Sequence, residues 1–493
     1  MRTRTGRLRT RWNAARELEN GEPKARASLG LVALVVTLIF GVPAAARAGR
    51  VVDIAAGEFH TCALMATGNV KCWGDNEFGQ LGHGDTAGVG NTPESMQDLA
   101  ESQPLPNGPI VQMALGAWHT CVLDMSGSVW CWGGNADGEL GAGHTRNVGD
   151  DPGEMTPGAT PDSIRPLALP GIAVKITAGQ LHTCALLVGG RVTCWGYNGY
   201  GQLGTGDWRN RGDTAVEFPV VDLGGGHSAR DVTASGWSVC AILENSQEKC
   251  WGHGFTGELG LGTRQNQFPG INSGDPAPWL LPTVDLGSID GNPLLAYRLA
   301  GGWQSACAVI PFIGPNMLKC WGWNSSGQLG IGDTNNRGDD PNEMGNRLPY
   351  VGDIFFPPLE GRHVYDVQAF GVHTCVLTQE HVLVQPLPDV RGVQCWGENA
   401  SGQLGLGDLI RRGDTPERIL SPRETVNLGS DPLTGVASVS RLATGLYHTC
   451  VVLGDGTAKC WGYNAYGQLG LGDTTNRGGD PKDMGDGLPA INL

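Results

Sequence analysis

Charge is scarce in this 493-residue chain: only 17% of residues are Asp, Glu, Lys or Arg, with a formal net charge of −15. Past residue 50 no cluster of Lys or Arg occurs, which excludes a phosphate-reading footprint for DNA or RNA. Also missing there is any apolar run of the roughly 20 residues that a membrane span requires. No P-loop, nucleophile elbow, H-E-x-x-H or C-x-x-C is found, so no enzyme signature, metal site or cofactor site is read. What is abundant is 78 Gly, 30 Pro, 15 Trp and 14 Cys, a composition that excludes a helical bundle and suits short strands joined by turns.

The first 48 residues differ from the rest. Nine basic residues, a 14-residue apolar run at 29–42, Pro43, and Ala46-Arg47-Ala48 follow the order of a signal peptide. Cleavage after Ala48 is expected, with an uncleaved anchor as the alternative. A lipoprotein anchor is excluded, because the first cysteine is Cys62. The leader carries a net +6, so its removal turns −15 into −21. Such a chain is expected to be exported, without membrane insertion, to a periplasmic, cell-surface or extracellular location. A cationic partner suits its charge.

The rest is a repeat: G-x-x-H-T-C-A-L, a turn, then V-x-C-W-G-x-N-x-x-G-Q-L-G. Seven cysteine pairs mark seven copies: Cys62 with Cys72, Cys121 with Cys131, Cys184 with Cys194, Cys240 with Cys250, Cys307 with Cys320, Cys375 with Cys395 and Cys450 with Cys460. Five pairs are ten positions apart, and Gly68, Gly127, Gly190 and Gly456 just past the midpoint suit the left-handed position of a hairpin loop. The cysteines then face each other across each hairpin. Spacing alone leaves disulfides and buried thiols open; export favours seven disulfides. A V-x-I-x-A-G strand precedes each hairpin, and before it comes an apolar stretch such as FPVVDL at 218–223. Four strands per unit predict an all-β, seven-bladed β-propeller of antiparallel blades, one domain over 49–493. The C-terminal strand 488–493 is expected to complete blade 1 and close the ring, leaving a monomer without open sheet edges.

This repeat, over essentially residues 50–493, resembles the regulator of chromosome condensation repeat family. The resemblance implies the seven-bladed propeller. For function it implies a range: a nuclear nucleotide-exchange factor for a small GTPase, modules on ubiquitin ligases, a plant light sensor, and secreted bacterial inhibitors of β-lactamases.

Recurring residues read first as structure. The Trp of each C-W-G fills the space between blades. His60, His119, His182, His373 and His448 recur two positions before a cysteine, and His60 should sit opposite Gly74, which leaves room for its ring. The G-D-x-x-x-R-G-D loops read as turns in which Asp pairs with Arg. A calcium loop is rejected because Arg211, Arg337, Arg412 and Arg477 stand where an oxygen ligand is needed.

In an antiparallel hairpin the indices of paired residues have a constant sum, and this rule defines a rim. It pairs Phe59 with Asp75, Trp118 with Gly134, Leu181 with Tyr197, Trp237 with His253, Gln304 with Trp323, Val372 with Glu398, and Tyr447 with Tyr463. Seven of the fourteen are aromatic against 7% of the chain, as in a binding hot spot. The competing reading is that these rings pack on neighbouring blades. Lengthened loops at 310–317 and 379–393 lie on the opposite rim. The expectation is an exported, non-enzymatic interaction protein whose aromatic rim binds a partner protein. A glycan-binding propeller using Trp118, Trp237 and Trp323, and a GTPase exchange factor by family analogy, are the alternatives.

Overall fold

The computed structural model describes residues 49–97, 99, 108–214, 217–266, 282–312, 316–351, 362–380, 391–419, 424–430 and 437–493. The expected leader 1–48 and the loop tips at 313–315 and 381–390 lie outside them. Seven three-stranded antiparallel sheets succeed one another: 51–74, 110–133, 173–196, 229–252, 298–322, 362–397 and 439–462, here blades 1 to 7. One short α-helix, Pro93–Gln97, follows blade 1. Among the described residues, no helix is long and apolar enough to cross a membrane.

Blade 1 shows how sequence becomes sheet. Its strands are Val51–Ala56, His60–Met65 and Val70–Gly74, and every residue of the middle strand is buried because neighbouring blades cover both faces. The hairpin closes where Gly68 adopts φ +88°, donating its N–H to Met65 O. In blade 4, where no glycine stands, Ser246 takes the left-handed conformation at φ +65°.

The strand register bears out every cysteine pairing. Cys72 stands opposite Cys62, Cys131 opposite Cys121, Cys194 opposite Cys184 and Cys250 opposite Cys240. Cys320 likewise stands opposite Cys307, Cys395 opposite Cys375 and Cys460 opposite Cys450. Of the two states that spacing left open, the structure has the oxidised one: all fourteen cysteines form disulfides, with S–S distances from 2.00 to 2.11 Å.

One contact repeats at every blade boundary. The buried indole of Trp132 donates to Gln80 O in the blade before it, at 3.0 Å, and Trp195, Trp251, Trp321, Trp396 and Trp461 do the same to Glu139, Gln202, Glu258, Gln328 and Gln403. Trp73 of blade 1 makes that bond to Gln468 O of blade 7 at 2.9 Å. The last glycine of G-Q-L-G gives the indole its room: a Cβ on Gly82 would lie 2.8 Å from Trp132 Nε1, and one on Gly470 the same distance from Trp73 Nε1.

The expected fourth strand needs correction. The apolar stretches run extended but are held by single backbone bonds, Val221 N to Val192 O, Val284 N to Glu248 O, Val351 N to Leu318 O and Ile491 N to Ala458 O. Each therefore flanks the hairpin before it, so 488–493 belongs to blade 7 and does not complete blade 1. Pro219, Pro282, Pro349 and Pro489 stand two positions before the bonded residue, and a proline lacks the N–H that a longer ladder would use. The side chain of Ile491 still packs in one cluster with Val51, Ile54 and Trp73, so the segment joins the two blades by apolar contact.

The first strands bear a bulge in five blades, with the register shifting just before Asp53, Gln112, Lys175, Asp231 and Arg441, and in blade 6 just before Asp366. These residues, with Arg298 of blade 5, pair across boundaries as Arg441–Asp53 at 3.6 Å, Arg298–Asp366 at 2.8 Å, and Lys175–Asp231. Three acids thus meet three bases.

Candidate binding rim

The first strand turns into the middle strand through A-G-x-x-H in blades 1 and 3 and through variants of it in the others, and turns of successive blades are tied to one another. Ala117 N bonds Gln180 O at 2.9 Å, Gln180 N bonds Gly236 O at 3.1 Å, and Gly236 N bonds Gly302 O at 2.9 Å. The histidines behind the turns are buried. His60 Nε2 meets Thr120 Oγ1 at 3.0 Å, His119 meets Thr183, His373 meets Thr449, and His448 meets Thr61 across the blade 7 to blade 1 boundary at 2.9 Å. Burial drives their pKa values down, to about 4 for His119 and about 3 for the others, so the rings are neutral. Room for the ring comes from the turn glycine and not from Gly74 as expected. A Cβ on Gly57 would lie 2.5 Å from His60 Cε1, whereas at Gly74 the obstacle is the backbone oxygen of Phe59 and the constraint is φ +109°.

One residue beyond each His–Gly pair, or Ser–Gly pair in blades 4 and 5, lie the rim positions. All seven expected pairings exist as backbone bonds from the second residue to the first: Asp75 to Phe59, Gly134 to Trp118, Tyr197 to Leu181, His253 to Trp237, Trp323 to Gln304, Glu398 to Val372 and Tyr463 to Tyr447, at 2.7 to 3.1 Å. The rings do pack on neighbouring blades. Phe59 of blade 1 lies 6.2 Å from Tyr463 of blade 7, and Tyr197 of blade 3 lies 5.7 Å edge-on to Trp237 of blade 4. They are nevertheless half-buried, and Trp118 is exposed at 36%. His253 is withdrawn: its ring is buried, held by Glu258 and flanked by Tyr200 and Phe255.

A second aromatic position was missed. Phe78, Tyr200 and Tyr466 occupy the last x of N-x-x-G-Q, and each joins the rim: Phe78 stacks on Trp118 at 5.5 Å, Tyr200 on Trp237 at 5.7 Å, and Tyr466 on Phe59 at 4.9 Å. Their shared repeat position was the available signal.

Blades 1, 5, 6 and 7 enclose a cavity of about 510 Å³, lined among others by Phe59, Trp323, Val372, Tyr447, Tyr463 and Arg411. Arg411 pairs with Glu398 at 2.5 Å, and Glu398 also accepts from Ser326 Oγ and the N–H of Asn399 and Ala400. Against its own burial, these contacts hold the Glu398 carboxyl below its ordinary pKa. Glu58, beside Phe59, has the opposite fate: burial and the nearby Asp75 push it up to about 7.

The G-D-x-x-x-R-G-D loops behave as read. Asp207–Arg211, Asp333–Arg337, Asp408–Arg412 and Asp473–Arg477 pair at 2.5 to 2.8 Å, and each Asp accepts the N–H two residues on. Among the described residues, Asp339, Asp340 and Glu343 lie close enough to share a cation, but Arg264 pairs with both aspartates and Glu343 accepts the N–H of Gly338 and Asp340.

A family model described as RCC1-like domain matches residues 21–419, and the regulator of chromosome condensation (RCC1) repeat matches 439–468. The chain belongs to the RCC1-like domain family. Ultraviolet-B receptor UVR8 of Arabidopsis thaliana is 28% identical over 430 residues, 87% of this chain and 80% of that protein. The probable E3 ubiquitin-protein ligase HERC4 of Homo sapiens is 29% identical over 219 residues, 44% of this chain but 19% of that protein. The crystal structure of Prp20p from Saccharomyces cerevisiae superposes with a TM-score of 0.59 at 19% identity, covering 90% of this chain and 86% of that one. Human WBSCR16 gives a TM-score of 0.57 at 19% identity, covering 82% and 88%. At these identities the two structures support the propeller fold of this RCC1-like chain and nothing finer.

Proposed function

We propose that this RCC1-like propeller is an exported, non-enzymatic protein that binds a partner protein through the aromatic rim. The observation that carries the reading is the ring of half-buried aromatics bordering an open cavity, where neither the core nor the hairpins require them. Aromatic anchors beside polar groups are the usual makeup of an interface hot spot. Two solved structures of one yeast relative support an interaction role for the fold: yeast RCC1 (Prp20) was crystallised bound to Kap60, and Prp20p is described by its binding to Gsp1p and histones. Seven disulfides support an oxidising location.

The test is capture from extracellular or periplasmic protein of the native source, with the wild-type chain and a Phe59→Ala, Trp118→Ala, Tyr463→Ala variant. Loss of hot-spot anchors should weaken capture by about 2 kcal/mol or more, roughly thirtyfold. Equal capture by both chains sinks the rim as the binding face. Saturable binding to a polysaccharide array, abolished by Trp118→Ala with Trp323→Ala, would transfer the rim to glycans. Export is checked by intact mass: a chain starting near Gly49 without free thiols is expected, and a full-length chain with fourteen alkylated cysteines overturns it.

A further inference from the structure

We infer that the cavity bordered by Phe59, Tyr447 and Tyr463 seats a cationic side chain, lysine or arginine, presented by the partner protein. This rests on the rim being the binding face and names what enters it.

The charges around the cavity do not balance. Arg411 is the cation in its lining, and it is held by Glu398, whose oxygens also take Ser326 Oγ and two backbone N–H groups. Beyond that satisfied pair stand Glu58 and Asp75. Asp75 takes the amide of Gln80 at 2.9 Å. Glu58 has no hydrogen bond or ion pair among the described residues, though it is half-buried at the turn that carries Phe59. Burial, and after it the nearby Glu58 and Glu398, raise the phenol pKa of Tyr447.

Faces of Phe and Tyr attract cations, and more strongly where water is partly excluded. A cavity lined by three such rings and a tryptophan, with the unpaired Glu58 on the residue just before Phe59, offers both terms to a guanidinium or an ammonium. With its pKa near 7, Glu58 is partly ionised at neutral pH and fully so above it; a cation favours that ionised form, whereas an anionic side chain would meet it with like charge. The acidic chain as a whole, at −15, draws a basic partner to this face.

The experiment uses the intact oxidised chain and three probes of one length: n-butylguanidinium, n-butanol and n-butyrate, followed by tryptophan and tyrosine fluorescence at low salt. The cation is expected to saturate the signal at least about tenfold more tightly than n-butanol, with butyrate weakest, and added salt should weaken only the cation. Glu58→Gln should remove the preference for the cation, while Glu94→Gln, an exposed acid on the Pro93–Gln97 helix, leaves it intact. Equal binding of cation and alcohol, or no saturation by any probe, overturns the inference, and these comparisons need no variant. Rim-dependent capture of a protein together with that result would keep the rim and discard the cation seat; equal capture by the rim variant would discard the rim itself.

Discussion

The indole of Trp73 reaches 2.9 Å to the carbonyl of Gln468, a residue 395 positions later in the chain. It is the same bond that six other tryptophans make to the blade just before them, so the boundary between the last and first blades is built like those that the chain crosses. Trp73→Phe keeps most of the ring volume and removes this N–H, and Gln468 O keeps Thr61 Oγ1 as a donor. The expected cost is about 1 kcal/mol, read by chemical unfolding, with a similar cost for Trp396→Phe. A much larger loss at Trp73 alone would mean that this boundary is weaker than the rest.

Among the described residues, His182 is the histidine whose two ring nitrogens are both buried without a hydrogen-bond partner. Its counterparts reach a threonine in the next blade, but blade 4 has Val239 there. Val239→Thr should supply the hydroxyl to His182 Nε2 and stabilise the protein by about 1 kcal/mol, because the swap nearly conserves volume and relieves an unsatisfied group. A destabilised variant would show that the new hydroxyl does not reach His182 Nε2 and is itself left unpaired.

Reduction should lower the unfolding temperature sharply. Each disulfide closes a loop of 10 to 20 residues, worth about 3 kcal/mol in the chain-entropy model, with Cys375–Cys395, the longest, worth most. The check is calorimetry with and without reductant; an unchanged transition would mean that the hairpins hold without the bonds.

Acid should destabilise the fold. Five buried histidines have folded pKa values near 3 to 4, below the unfolded value of 6.5, so their contribution is complete above pH 6.5 and is lost as pH falls through the folded values. Glu58, Glu139 and Glu248, raised to about 7 by burial, act oppositely: their contribution is complete below pH 4.5 and lost as pH rises through 7. The two sets oppose each other between pH 4.5 and 6.5, so stability should fall gently there and steeply below pH 4.5. Denaturant midpoints across pH 3 to 8 test this. A midpoint that rises on acidification below pH 4.5 would contradict it.

Much of this was legible because the repeat repeats its pairings. Once the cysteines of a pair face each other, the constant index sum fixes that hairpin, and the partners of Phe59, Trp118 and Tyr447 follow from Cys62–Cys72, Cys121–Cys131 and Cys450–Cys460 without tertiary information. The owner of 488–493 was not legible, since sequence order alone lets an apolar segment lie beside the hairpin before it or the one after. Only the bond from Ile491 to Ala458 O decides, while its side chain faces the other neighbour. The second aromatic position escaped for another reason: Phe78, Tyr200 and Tyr466 alternate with Asp137, Thr256, Ser326 and Ser401, so their enrichment is diluted in a consensus. The charge state of Glu58 depends on burial, which no motif records.

The His–Thr bonds span four boundaries in succession, from blade 6 through 7, 1 and 2 to blade 3, and are absent where Ser238, Val239, Ser305 and Ala306 interrupt the pattern. The middle of that bonded arc holds the boundary between blades 7 and 1, the last and the first in chain order. The His–Thr latches are therefore concentrated around the meeting of the first and last blades, and the opposite side relies on the tryptophan bonds and the turn-to-turn backbone bonds. Blades 4 and 5, whose neighbours in the ring are also their neighbours in sequence, are the ones that do without the histidine latch.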